Sequence, residues 1–312
     1  MPFDFDAAVG TPFRMQPGLR KLAPGTRQFT PLAADHAARA EKLAVLMRQP
    51  GEALLCAAGF DPLPALRELA AEAARQCPQA IAADDHGVSA AQPGWRADWS
   101  GGLSALRDDA CPDVGACLAA LPPSQRAAGL LSLALHEDLA IVDGATATLP
   151  WMAVCLPSHW APRDKCGRSF ASVHDPVADN AVLIAAGRHL MQLVCQPQRW
   201  ERFVWTITTH DTHDTHPDRH LRAPWRDTAD AVALQARWRT EHQTFVPLPA
   251  LRQAVFTIHV EVQPLAQAID TPGRAAALHD ALASMSDAVL AYRGLGDARA
   301  PLLAWLERRA AP

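Results

Sequence analysis

The chain has 312 residues, 49% of them apolar, and 29 Lys and Arg against 33 Asp and Glu give a formal net charge of −4. That length is enough for one large domain or two small ones with a full core, and the charge balance excludes a basic nucleic-acid face or a like-charged tail. No stretch reaches the ~18 apolar residues of a membrane span, and the first twenty residues, with Asp4, Asp6 and Pro17, lack the continuous apolar segment of a secretory signal.

Taken in chain order, a Pro- and Gly-punctuated arm runs to about Thr30. Helical periodicity predicts helices over 34–47 and 63–76, the second opened by Pro62-Leu63-Pro64. Residues 78–102, with Trp95 and Trp99, read as a loop, and 123–135 as a helix. Residues 139–142 and 145–156, joined by Asp143-Gly144, read as a strand hairpin. An irregular stretch with short helix follows over 157–180, then a long helix over 182–194 and a β-rich segment over 202–208. A polar loop spans 209–229, two more strands cover 236–246 and 254–262, and two helices close the chain over 273–292 and 298–309. The middle therefore reads β-β, irregular helices, one long helix, then β-β-β. That order predicts an α+β fold with a PAS-like five-stranded antiparallel sheet whose one face cups a ligand, wrapped by the flanking helices.

Seven cysteines (56, 77, 111, 117, 155, 166 and 195) form no Cys-x-x-Cys pair, which fits reduced thiols in a cytoplasmic protein and not a cysteine-ligated zinc or iron–sulfur site. There is no Gly-x-Gly-x-x-Gly, no Walker loop, no Gly-x-Ser-x-Gly and no His-Glu-x-x-His. Reduction of a nicotinamide-linked cofactor by this chain alone is not expected.

Two blocks carry the strongest signal. The first contains Pro157-Ser158-His159-Trp160-Ala161-Pro162-Arg163-Asp164-Lys165-Cys166-Gly167 and, after it, Val173-His174-Asp175-Pro176-Val177. The second contains Arg239-Thr240-Glu241-His242-Gln243-Thr244-Phe245, Leu248-Pro249 and Phe256-Thr257-Ile258-His259. Together with Pro12-Phe13-Arg14-Met15 and Gly18-Leu19, these blocks resemble the signatures of the haem-dependent oxidative N-demethylase α-subunit-like family. The family pattern has arginine where this chain has His242, another arginine at Pro247, and asparagine at Val204.

The resemblance implies a PAS-like core binding haem b over 132–265, an N-terminal arm and helical region over 1–131, and C-terminal helices over 266–312, together one compact unit. It implies an oxygenase component that oxidatively N-demethylates a small secondary amine such as dimethylamine, using O2. Electrons would come from partner reductase subunits carrying FMN and a [2Fe–2S] cluster. A non-catalytic haem PAS sensor of O2, NO or redox state is the alternative, and a haem-free structural subunit a further one. Neither nucleic acid nor membrane is expected as a partner.

Read from the chain alone, His174 is a core or loop histidine hydrogen-bonded to backbone; the resemblance makes it the axial ligand of haem iron. His189, on the long helix, is the runner-up. Lys165, Arg168, Arg202 and Arg239 are candidate partners for haem propionates, or surface charges. Glu241, His242 and Gln243 are the catalytic candidates. They lie on one strand, so Glu241 and Gln243 share a face and His242 takes the other. Either the pair or His242 looks into the pocket. His210, His213, His216 and His220 read as a solvated loop between two strands, able to take up zinc or nickel adventitiously.

Overall fold

The structure is a computed structural model and describes residues 3–311. The N-terminal part contains α1 (Phe5–Ala8), β1 (Arg20–Lys21), α2 (Ala37–Arg48), α3 (Pro50–Ala53), β2 (Leu54–Cys56) and α4 (Leu63–Gln76). Helix α4 has the predicted bounds: the Asp61 carboxylate accepts from the Leu63 amide at 3.0 Å, and Leu66, Leu69, Ala70 and Ala73 form its buried stripe.

Residues 78–102 are not a loop. They hold most of a small antiparallel meander of β3 (Ile81–Asp84), β4 (Gly87–Ala90), β5 (Trp95–Asp98) and β6 (Leu103–Ala105). Strands of three or four residues rich in Ala, Gly and Ser carry too little period-two contrast to register as strands. Close packing sets the meander: a Cβ on Gly87 would lie 2.4 Å from the Ala97 carbonyl oxygen. Helices α5 (Pro112–Ala120) and α6 (Arg126–Ala134) follow.

The second part contains β7 (Asp138–Asp143), β8 (Thr148–Ala153), α7 (Phe170–His174), α8 (Ala181–Val194), β9 (Trp200–Thr208), α9 (Ala229–Gln235), β10 (Arg237–Leu248) and β11 (Gln253–Pro264). It ends with α10 (Leu265–Ala268), α11 (Pro272–Ala283), α12 (Asp287–Arg293) and α13 (Arg299–Ala310). The helix expected over 273–292 is two helices, because Ser286 caps α12 by accepting from the Val289 amide at 3.2 Å and so starts a new helix.

The large sheet is antiparallel throughout, in the order β1-β9-β10-β11-β7-β8-β2. Five strands were anticipated; the two additional ones are the short edge strands β1 and β2, supplied by the N-terminal part. The sheet is covered on both faces. Strand β7 shows why it reads as a continuous apolar run: Leu139 and Ile141 join the core formed with α2, α4, α5 and α6, while Ala140 and Val142 join a second core with Met191 and Val194 of α8. A third core packs α11, α12 and α13 against Trp205, Ile207 and Trp238.

Candidate functional site

A cavity of about 290 Å³ lies on the α7–α8 face of the sheet. Strand periodicity decides which side chains reach it. Arg202, Val204 and Thr206 come from β9, Arg239, Glu241, Gln243 and Phe245 from β10, and Phe256 and Ile258 from β11. Ala140, Val142, Leu149 and Met152 complete the apolar floor from the β7–β8 hairpin. The far wall is His174, Phe170 and Val173 of α7, with Leu183 and Met191 of α8, and Arg222, Tyr292 and Arg293 close the rim.

His174 is the last residue of α7. Its Nδ1 donates to the Phe170 carbonyl at 2.9 Å, so in the neutral ring Nε2 keeps its lone pair. Burial pushes the imidazole down to about 4, which keeps it neutral at ordinary pH. Phe170 stacks on the ring at 4.0 Å between centroids. The end of α7 is tied down by Asn180, whose Nδ2 donates to the His174 and Asp175 carbonyls at 3.0 and 2.9 Å. Gly187 of α8 allows the close approach: a Cβ there would stand 2.6 Å from Phe170 Cδ1.

The wall is rich in cations: Lys165, Arg202, Arg222, Arg239 and Arg293, against Glu241 as its one carboxylate among the described residues. Burial lowers the Lys165 ammonium to about 8, opposed by Glu241, and the ammonium rests 4.0 Å above the Trp160 ring. Burial also lowers Arg202, and its Nε has no hydrogen-bond partner among the described residues. A buried guanidinium Nε without a partner is costly, so the site calls for an anion beside it. Arg239 is different. Its Nε donates to Ser158 Oγ at 2.8 Å, and its terminal nitrogens donate to the carbonyls of Thr212 (3.2 Å), Leu156 (3.2 Å) and His213 (2.6 Å). The Ser158 hydroxyl donates in turn to Glu241, whose other oxygen accepts from Gln243 Nε2. Arg239 therefore holds Ser158 and through it Glu241, instead of offering itself to a ligand.

The structure divides the sequence-based candidates. His174, Lys165, Arg202, Glu241 and Gln243 meet at the cavity; Arg239 is there too, with its donors committed. His242 is on the other face, where Nε2 lies 2.7 Å from Glu201 and the ring stacks on Phe203 at 4.6 Å. Arg168 is exposed and outside the cavity lining, and His189 faces solvent on α8 because the buried stripe there is Leu183, Gly187, Met191 and Val194. The 209–229 segment is a loop, but not a solvated one throughout: His213, Asp214, Thr215 and His216 are buried. Arg222, Arg293 and Tyr292, the chain's single tyrosine, escaped the sequence reading. No local pattern flags them, since long-range packing brings them in. Ser158 lay in a recognised block without an assigned role.

Residues 116–303, more than half of the chain, match the family described as "Haem-dependent oxidative N-demethylase, alpha subunit-like". Every cavity-lining residue except Met15 falls within the matched span.

Proposed function

The chain belongs to the haem-dependent oxidative N-demethylase α-subunit-like family, and from that premise we propose that it binds haem b in the cavity, as the oxygenase component of a small-amine N-demethylase. The observation that carries this reading is His174, a neutral imidazole on the cavity wall with Nδ1 bound to a backbone carbonyl and the Nε2 lone pair uncommitted. A carbonyl on the distal ring nitrogen fixes the tautomer and raises the donor strength of the ligating one. The remaining wall suits the same group. Its floor is apolar, and the half-buried Lys165 and Arg202 offer positive charge to propionates. The central strands β9-β10-β11-β7-β8, with α7 and α8 on the cavity face, support the PAS-like description.

Bound haem supplies iron-centred oxidation of an N-methyl group. The chain's own residues bind and orient the amine. A secondary amine arrives as an ammonium cation, and a buried cation needs a counter-charge. Once propionates neutralise Lys165 and Arg202, Glu241 is the carboxylate left to take it, with Ser158 and Gln243 holding the carboxylate in one orientation. Electrons come from separate flavin and iron–sulfur subunits, because this sequence carries neither a dinucleotide fingerprint nor a cluster-ligating cysteine set.

The test is the visible spectrum of the purified chain, ferric and dithionite-reduced, with and without dimethylamine. A Soret band that shifts on adding amine, and that disappears in His174→Ala but persists in His189→Ala, is expected. Full haem retention by His174→Ala would overturn the ligand assignment. An amine-insensitive spectrum together with no amine-dependent NADPH oxidation in the presence of the reductase would favour a sensor.

A further inference from the structure

We propose that His36, His136 and His213 form a site for one divalent transition-metal ion of the zinc type, distinct from the cavity, which none of the three lines. Each brings one ring nitrogen within 4.8 Å of the other two. Zinc–imidazole bonds of about 2.0–2.1 Å place ligand nitrogens roughly 3.3 Å apart, so the rings must close by up to about 1.5 Å onto an ion. They come from three separate segments: His36 caps α2, His136 follows α6, and His213 belongs to the loop before α9.

The surroundings of His213 and His136 support ligation. His213 Nδ1 donates to Glu41 at 2.9 Å, and Glu41 also accepts from the His213 and Asp214 amides at 3.2 and 2.7 Å. That leaves the Nε2 lone pair free, in the carboxylate–histidine arrangement that orients metal ligands. His136 is 2% exposed, and its Nε2 has no hydrogen-bond partner among the described residues. Its Nδ1 lies 3.0 and 2.9 Å from the two ring nitrogens of His259. His36 Nδ1 accepts from the Ala38 amide at 3.1 Å, so ligation through Nε2 requires the ring proton to move to Nδ1 and that bond to be given up.

A neighbouring set, His136, His259 and Glu261, is the weaker candidate. His259 Nδ1 faces Glu137 and its Nε2 faces Glu261, each at 2.9 Å, so both nitrogens are committed to carboxylates. An ion on the first set would fasten the 209–216 segment to α2 and α6. The same segment supplies the His213 carbonyl to Arg239 and the Thr215 hydroxyl to the His159 amide. The ion would thus brace one wall of the cavity from behind without touching it.

The experiment uses the full chain, dialysed against chelator, and titrated with zinc chloride in competition with a chromophoric chelator. Bound zinc is counted by elemental analysis after desalting. One equivalent per chain is expected, with affinity weakened about 10–100-fold in Glu41→Gln, the range for a lost outer-shell partner, and at least as much in His213→Gln and His36→Gln. Glu261→Gln and His220→Gln should bind as the parent does. His36 is partly exposed, so its variant tests the site even if His136→Gln or His213→Gln does not fold. The proposal is overturned if the parent retains a negligible fraction of an equivalent. It is equally overturned if His36→Gln and His213→Gln bind normally, or if binding is lost only in His220→Gln or Glu261→Gln.

Discussion

Glu241 and His242 are neighbours in the chain with side chains on opposite faces of the sheet: Glu241 lies on the cavity wall, and His242 pairs at 2.7 Å with Glu201 behind it. The consequences for substitution are opposite. Glu241→Gln keeps the shape but removes the charge, so amine-induced Soret shifts should require at least about tenfold more amine, the loss expected for a charge-assisted contact. His242→Arg should leave haem spectra, amine affinity and autoxidation unchanged. An altered autoxidation rate in His242→Arg would show that the far face communicates with the cavity.

Arg202 should behave differently with and without haem. The side chain is half-buried, and its buried Nε lacks a partner among the described residues. Arg202→Met should therefore leave the haem-free chain equally stable or raise its stability by about 1–3 kcal/mol, as for other buried charges replaced by apolar groups. The same variant should bind haem more weakly. Chemical denaturation of the haem-free form and haem titration separate the two effects. A large loss of haem-free stability would mean that Arg202 has a structural partner after all.

Gly187 tests the packing behind His174. A Cβ at this position meets the edge of Phe170, which stacks on the His174 ring. Gly187→Ala normally favours a helix, but here overpacking should cost about 1–3 kcal/mol and tilt the imidazole. Reduced haem occupancy with little loss of helical circular dichroism is the expected result. An alanine variant with parental stability and spectrum would show that Phe170 moves freely.

His259 gives a pH signature. Burial opposes its charge, but hydrogen bonds to Glu137 and Glu261 outweigh burial and hold it above its ordinary 6.5. A raised folded value means the stabilisation is fully present below the unfolded value and is lost as pH rises through the folded one. Denaturation midpoints measured in chelator should therefore fall in the parent as pH rises above 6.5. His259→Gln should be less stable at pH 6 and lack that part of the decline. A parallel decline in the variant would assign the slope to another group.

Much was legible from residue patterns. Helices α4 and α8, the β7–β8 hairpin and the three long strands each carry their own period or turn chemistry, and so could be read locally. The alternation along β10 established that Glu241 and Gln243 share a face and that His242 does not, because side chains on a strand alternate regardless of context. The family resemblance, carried by two motif blocks, pointed to His174.

Tertiary structure decided the rest. Which face of β10 meets the cavity depends on where α7 and α8 pack, and no pattern within β10 contains that information. Lys165 and Arg168 look alike in sequence, yet one lies on the cavity wall above Trp160 and the other is exposed. Arg202 and Arg239 also look alike, but the loops carrying Leu156, Ser158, Thr212 and His213 satisfy only the second. Arg222 and Arg293 reach the rim from segments far along the chain, and His36, His136 and His213 converge from three. Spacing in sequence reports only what one element does alone; charge pairing and ligand convergence are properties of elements packed together.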